Sequence, residues 1–118
     1  MKYKIIVFVA GMIAVILLLT LWPKEKTGAG PLDDFAKCLA DKNIIMYGAD
    51  WCPHCQTQKK MFGKSFQYIN YVECPQDPQK CLAAGIEGYP TWVTANGEKL
   101  IGEQKIETLS KKTNCPID

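Results

Sequence analysis

The sequence predicts an α/β domain, with a central mixed sheet covered by helices on both faces, behind one N-terminal transmembrane helix. Three observations lead to this prediction. The chain opens with a long uncharged run, helix-type and strand-type patterns then alternate, and an Asn-Gly pair separates two apolar runs near the C-terminus. The 118 residues suffice for one small domain.

The uncharged run, IIVFVAGMIAVILLLTLW, extends over eighteen residues from Ile5 to Trp22. A helix of that length is about 27 Å long, close to the hydrocarbon core of a bilayer at about 30 Å. A cleaved signal peptide usually has a shorter apolar region, and a soluble core helix has a polar face, which this run lacks. We therefore expect residues 1–22 to form an uncleaved anchor in the lipid bilayer.

The charges flanking the run predict its orientation. Lys2, Lys4 and the α-amino group precede it, whereas Lys24 and Lys26 follow it, and the balance favours a cytoplasmic N-terminus. The predicted location is the cell membrane, with the remaining chain in the periplasm or at the cell exterior. Six cysteines suit disulfides in such an oxidising compartment.

Charge and composition argue against nucleic-acid binding. The formal net charge is +2, and the fourteen basic residues, all lysines, are scattered among twelve acids. There is no basic run, and arginine, the residue best suited to bidentate phosphate recognition, is absent from the sequence.

A polar linker, PKEKTGAGP, is expected at residues 23–31, and the folded domain at residues 32–118. Residues 32–41 predict a helix, because Leu32, Phe35 and Leu39 share one face. IIMYG at residues 44–48 is typical of a short buried strand.

The rest of the domain continues the alternation of helix and strand patterns. A helix is predicted at residues 52–64, with Cys55, Gln58 or Lys59, and Phe62 along one side, and with Lys59 and Lys60 as a solvated face. The later elements are expected to be a strand at 68–73, a short helix at 79–84, a hairpin of TWVT and EKLIG about Asn96 and Gly97, and a helix at 104–112.

The stretch WCPHC, residues 51–55, lies where the strand meets the helix. Cys52 then occupies the helix N-terminus, where unpaired N–H groups and the helix dipole stabilise a thiolate, the reactive species. Pro53 suits the first helical turn, because its missing N–H would be unpaired there. Cys55 faces the same side but deeper, so it can attack a mixed disulfide at the first sulfur. The spacing predicts Cys52 as nucleophile and Cys55 as resolving thiol.

Four further residues are expected around this pair. We interpret His54 as a residue that favours the Cys52 thiolate, rather than as an incidental exposed side chain, and Asp50 is the one acid expected nearby. Trp51 and Tyr89 are predicted to rim the site, and Trp92 to pack in the core.

The other four cysteines allow several interpretations. Cys74 and Cys81 suit a structural disulfide, a second redox relay or zinc ligands. The six-residue spacing and the oxidising compartment disfavour zinc, so a structural disulfide is preferred. Cys38 and Cys115 then remain, and their pairing would tie together the two ends of the domain. We expect no metal and no cofactor.

WCPHC after a strand and GYPT at residues 88–91 resemble the thioredoxin fold over residues 32–118. More narrowly, FAKCLADKN, MYGADWCPHCQTQKKMFG, YVEC and GYPTW are similar to the thioredoxin-like domain fused to, or encoded beside, prokaryotic homologues of vitamin K epoxide reductase. CPHC also resembles the motif of DsbA-type periplasmic oxidases.

This resemblance implies that Cys52 and Cys55 are a redox pair and that Pro90 is a cis-proline preceded by Tyr89. The sequence departs from thioredoxins at Met46, because typical members carry a buried aspartate six residues before the first cysteine. Without that carboxylate, proton transfer to or from Cys55 must use water or another group.

Two classes of function remain. The first is a membrane-anchored extracytoplasmic thiol-disulfide oxidoreductase, with cysteine-containing extracytoplasmic proteins and a quinone-linked, vitamin K epoxide reductase-like membrane oxidase as its partners. A tethered thiol reductant is a variant of this class. The second is a thioredoxin-fold assembly factor in which CPHC holds a metal.

Overall fold

A computed structural model describes residues 1–21 and 28–117 of the chain. The elements, in chain order, are α1 (Lys2–Thr20), α2 (Asp33–Asp41), β1 (Ile45–Gly48), α3 (Pro53–Phe62), a 3₁₀ helix (Gly63–Tyr68), β2 (Asn70–Glu73), α4 (Pro78–Ala83), β3 (Thr91–Val93), β4 (Lys99–Ile101) and α5 (Ile106–Thr113).

The four strands form one mixed sheet in the order β2-β1-β3-β4. β1 and β2 are parallel, whereas β1 and β3, and β3 and β4, are antiparallel. Met46 lies opposite Tyr71 on one side and Trp92 on the other, and Gly48 lies opposite Glu73. The predicted mixed sheet is confirmed.

One face of the sheet, the aromatic face, carries most of the core. Met46 and Trp92 point to this face, because side chains alternate along a strand and the two residues are paired in register. They pack with Phe35 and Leu39 of α2, Phe62 of α3 and Leu109 of α5, all at most 1% exposed. The ring of Phe62 lies 5.9 Å from that of Phe35 and 5.7 Å from that of Trp92, centroid to centroid.

The opposite face of the sheet, the α4 face, is covered by fewer buried side chains. Tyr47 of β1 packs with Cys74 and Cys81, and half-buried apolar side chains such as Val72 and Ile86 surround them. Since α4 contributes Cys81, helices cover both faces, as predicted.

The helix α1 is long and apolar enough to cross a membrane, and its side chains are exposed throughout. It ends at Thr20, two residues before the predicted end of the anchor. Trp22 and residues 23–27 of the predicted linker lie outside the described residues.

Two predicted boundaries were wrong, and both lie around the 3₁₀ helix. α3 ends at Phe62 instead of residue 64, because Gly63 adopts a positive φ of 52°, which favours glycine. β2 begins at Asn70 instead of residue 68. Between them, the buried hydroxyl of Ser65 accepts a 2.9 Å hydrogen bond from Leu32 N–H, so a contact with the start of the domain sets this segment.

The last helix was also predicted to begin too early, at residue 104 instead of Ile106. The backbone N–H of Gln104 donates to the side chain of Gln58 at 2.6 Å, and its carbonyl accepts from the same side chain at 3.0 Å. A long-range contact therefore occupies these backbone groups before α5 starts.

Candidate active site

Cys52 is the N-cap residue of α3, with Pro53 in the first turn of the helix. Its sulfur accepts a hydrogen bond from the backbone N–H of Cys55 at 3.2 Å. The Cys52 sulfur thus lies at the positive end of the helix dipole, beside this N–H. Cys52 is 5% exposed.

The loop before β3 lies against the same sulfur. The Tyr89–Pro90 peptide bond is cis, and the Cys52 thiol donates to the carbonyl of Tyr89 at 3.8 Å. Trp51 is 68% exposed, and its ring meets that of Tyr89 edge-on at 6.0 Å. The two aromatic rings therefore lie beside Cys52, whereas Trp92 is buried in the core with no exposed surface.

Cys55 lies one helical turn deeper and is fully buried. Its sulfur faces Gly48 so closely that a Cβ at that glycine would lie 2.9 Å from it. Burial raises the pKa of the Cys55 thiol to about 12, and the interaction of its side chain with that of Cys52 acts in the same direction. The pair is thus asymmetric, with one sulfur at the helix terminus and one neutral thiol inside the core.

His54 is exposed and pairs with an acid from another part of the chain. Its Nδ1–H donates to Oε1 of Glu103 at 2.7 Å, and its side chain is 74% exposed. The expectation that Asp50 is the one acid near the site was therefore wrong, because the loop between β4 and α5 brings in a carboxylate 49 residues away. The predicted influence of His54 on Cys52 stays a prediction.

Lys59 does not belong to a solvated helix face, unlike Lys60, which is exposed. Its Nζ lies 3.1 Å from Oδ1 of Asp50 and 4.1 Å from the ring centroid of Tyr71. Glu73 joins the same group, since its Oε1 accepts from the Asp50 N–H at 2.9 Å and its Oε2 from the Tyr71 hydroxyl at 2.6 Å. Hydrogen bonding to Lys59 lowers the pKa of Asp50.

Gln58 supports the site from inside the domain. The sequence pattern left open whether Gln58 or Lys59 lies on the inward side of the helix. It is fully buried, and its Oε1 accepts from Trp92 Nε1–H at 3.2 Å and from the Gln104 N–H. These bonds attach α3 to β3 and to the loop before α5. The available signal was its spacing of three residues from Cys55, which places both side chains on the inward side of the helix.

The remaining cysteines form two disulfides. Cys38 is bonded to Cys115, and Cys74 to Cys81, with Cα–Cα distances of 5.8 and 5.7 Å. Cys52 and Cys55 remain as free thiols. Among residues 1–21 and 28–117, no group of three or more His, Cys, Asp or Glu side chains is arranged to hold a metal ion.

Sequence comparison relates the chain to redox proteins. No family model matches it. It is 41% identical over 92 residues to the thiol-disulfide oxidoreductase LTO1 of Arabidopsis thaliana, a match covering 70% of this chain and 24% of that protein. It is 32% identical over 92 residues to the thioredoxin domain-containing protein 5 homolog of Drosophila melanogaster, covering 67% and 21%. The chain thus spans less than a quarter of the length of these relatives.

Two solved structures identify the fold. A mutant thioredoxin from Halobacterium salinarum NRC-1 superposes with a TM-score of 0.52 at 21% identity, covering 77% of this chain and 96% of that one. Oxidised mitochondrial thioredoxin 3 from Saccharomyces cerevisiae gives 0.50 at 21% identity, covering 60% and 74%. The domain therefore has a thioredoxin-like α/β fold, and its dithiol lies at the start of the helix after β1.

Proposed function

We propose that this protein is a membrane-anchored extracytoplasmic thiol-disulfide oxidoreductase that acts mainly as a disulfide donor. The observation that carries the proposal is the position of Cys52, which caps α3, accepts the Cys55 N–H and lies against the Tyr89 carbonyl, while Cys55 is buried. The similarity to the thiol-disulfide oxidoreductase of Arabidopsis thaliana supports the same class of reaction.

The reaction begins from the oxidised form, in which Cys52 and Cys55 are joined. A substrate thiolate attacks the Cys52 sulfur, the Cys52–Cys55 bond breaks, and Cys55 leaves as a thiolate that takes up a proton. A second substrate thiolate then attacks the substrate sulfur of the mixed disulfide and releases Cys52. Two electrons pass from the substrate dithiol to the protein. An extended substrate segment can pair with the backbone beside the cis-proline, next to Trp51 and Tyr89.

Reoxidation of the dithiol requires an electron acceptor in or near the membrane. We propose a quinone-linked, vitamin K epoxide reductase-like membrane oxidase, on the basis of the motif resemblance in FAKCLADKN, MYGADWCPHCQTQKKMFG, YVEC and GYPTW. The apolar helix α1 supports anchoring of the domain in the same bilayer, and Lys2 and Lys4 support a cytoplasmic N-terminus. Cysteine-containing extracytoplasmic proteins are then the substrates.

Trapping of mixed disulfides in cells tests the assigned roles of the two cysteines. We expect Cys55→Ser to accumulate mixed disulfides through Cys52, because the nucleophile is kept and the resolving thiol is removed. Cys52→Ser is the matched control and should trap none. Equal trapping by both variants, or by neither, contradicts the proposal.

The reduction potential of the pair tests the direction of electron flow. Stabilisation of the reduced Cys52 thiolate makes the disulfide more oxidising, so we expect a value of about −230 to −150 mV, between thioredoxin at about −270 mV and DsbA at about −120 mV. Equilibration of the full chain in detergent with glutathione buffers, read by Trp51 fluorescence, measures it.

A potential at or below that of thioredoxin contradicts disulfide donation and favours a tethered reductant. Bound zinc at one equivalent per chain, found by elemental analysis of the purified protein, favours the assembly-factor alternative instead. The variant Glu103→Gln shows whether the partner of His54 influences the potential, with Glu98→Gln, which removes an exposed carboxylate paired with Lys112, as its control.

A further inference from the structure

The proposed exchange needs a proton acceptor for Cys55. Its thiol is fully buried, and burial holds its pKa far above neutral pH, so the thiolate that resolves a mixed disulfide does not form readily without a base. Met46 on β1 carries no base. Cys52 is bonded to the substrate in the mixed disulfide, so it cannot accept the proton either. Water or another polar group must therefore exchange a proton with the buried sulfur.

Tyr71 carries a polar group on the neighbouring strand β2. It is paired in register with Met46 on parallel strands, so its side chain emerges on the same face of the sheet. Both groups border the space above Gly48. The point that a Cβ of Gly48 would occupy is 2.9 Å from the Cys55 sulfur and 3.3 Å from the Tyr71 hydroxyl oxygen. The missing side chain leaves room for both.

Glu73 lies behind Tyr71 and accepts its hydroxyl proton at 2.6 Å. The second carboxylate oxygen accepts from the Asp50 N–H at 2.9 Å, which fixes the orientation of the carboxylate. Lys59 lies over the Tyr71 ring and pairs with the Asp50 side chain. Burial and the Glu73 carboxylate raise the pKa of Tyr71, so its phenol keeps a proton at neutral pH.

We propose that Tyr71 and Glu73 form the proton path of Cys55, taking the place of an acid at position 46. This inference rests on the proposed thiol-disulfide exchange. In the resolving step, the Cys55 S–H proton passes to the Tyr71 oxygen while the Tyr71 proton passes to Oε2 of Glu73. The Cys55 thiolate attacks the Cys52 sulfur, the mixed disulfide breaks, and the substrate leaves as a thiolate. In disulfide donation, the same path runs backwards and protonates the departing Cys55.

The rate of the resolving step tests this path directly. The reduced chain of residues 1–118, in detergent, is mixed with excess glutathione disulfide. Samples are quenched in acid and alkylated, and their masses are measured by mass spectrometry. The masses separate the dithiol, the Cys52 mixed disulfide and the Cys52–Cys55 disulfide. The variants are Tyr71→Phe and Glu73→Gln. Their matched controls are Tyr47→Phe, on the α4 face, and Glu98→Gln.

We expect Tyr71→Phe and Glu73→Gln to slow decay of the mixed disulfide at pH 7 about tenfold or more, with formation of the mixed disulfide unchanged. The defect should shrink as the pH rises toward about 10, because hydroxide then removes the Cys55 proton directly. The controls should behave as wild type. The two variants change different side chains, so each interrupts the path independently. Thermal unfolding checks that each variant is folded.

Two results overturn the proton path alone: unchanged decay in both variants, or a slowing by the same factor at every pH, as a packing defect would cause. A different result defeats the proposed function itself. If neither wild type nor Cys55→Ser forms a mixed disulfide at Cys52, the protein does not exchange disulfides at this site.

Discussion

The two faces of the sheet are built differently, although each includes one disulfide. On the aromatic face, three helices bury a cluster of large side chains around Phe62 and Trp92, and the Cys38–Cys115 bond joins α2 to the segment after α5. On the α4 face, the six-residue helix α4 and half-buried aliphatic residues cover Tyr47, and the Cys74–Cys81 bond attaches that helix to the end of β2.

The difference shows how a small domain can stabilise a face that has few buried side chains. A six-residue helix is too short to be stable alone and gains little from its own apolar surface. A covalent link to the strand beside it holds such a helix where packing is modest. The aromatic face has enough buried surface to position α3, and with it Cys52 and Cys55, through packing and through Gln58.

The largest expected effect comes from the disulfide on the aromatic face. Cys38 and Cys115 are 77 residues apart, so the bond restricts a long loop in the unfolded chain. Replacing both by Ala should lower the free energy of unfolding by about 4.5 kcal/mol, measured by urea denaturation. The matched Cys74→Ala/Cys81→Ala variant opens a loop of only 7 residues and should lose about 2.4 kcal/mol. Equal losses would contradict the loop-length account.

Removal of a core side chain should cost nearly as much on the aromatic face. Phe62 has no exposed surface, so Phe62→Ala is expected to lower the free energy of unfolding by about 3–5 kcal/mol. Ile86→Ala, on the α4 face, should cost about 1–2 kcal/mol, because Ile86 is half-buried. Similar costs at the two positions in urea denaturation would show that the faces are equally well packed.

A smaller effect is expected from the polar contact within the aromatic face. Gln58→Leu leaves the buried Trp92 Nε1–H and the Gln104 N–H without their acceptor, and should lower the free energy of unfolding by about 2–3 kcal/mol. Gln56→Leu removes an exposed bond to the Asp50 carbonyl and should cost less than about 1 kcal/mol. Urea denaturation tests both variants. A Gln58→Leu variant as stable as wild type would contradict the role of Gln58 in attaching α3 to β3.

The last expected effect depends on pH and is small below about pH 9. Burial raises the pKa of Cys55 to about 12 in the folded reduced protein, against about 8.5 for an unperturbed thiol. The folded state therefore binds more protons than the unfolded state between these values, and stability falls as the pH rises through that range. Cys55→Ala should show a shallower fall in the free energy of unfolding above about pH 9. Identical pH profiles would contradict the burial of a neutral thiol.

Local patterns predicted most of the fold. The alternation of apolar runs and turn residues was enough to place the helices, the strands and the mixed sheet, because hydrophobic periodicity reflects which face of an element is buried. The errors lie where remote contacts override local preference. Ser65 is held by Leu32, and the Gln104 backbone by Gln58, and neither partner is near in sequence.

The sequence by itself determined that one sulfur of the CPHC motif lies at a helix N-terminus, since a Cys-x-x-Cys motif between a strand and a helix puts it there through local geometry alone. Tertiary structure decided which other groups surround the two cysteines. Glu103 reaches His54 from the far end of the chain. Tyr71 reaches the space beside Cys55, with Glu73 hydrogen-bonded to it, because β2 lies parallel to β1. Electrostatic and proton-transfer partners depend on distances in space, and sequence spacing does not record those distances.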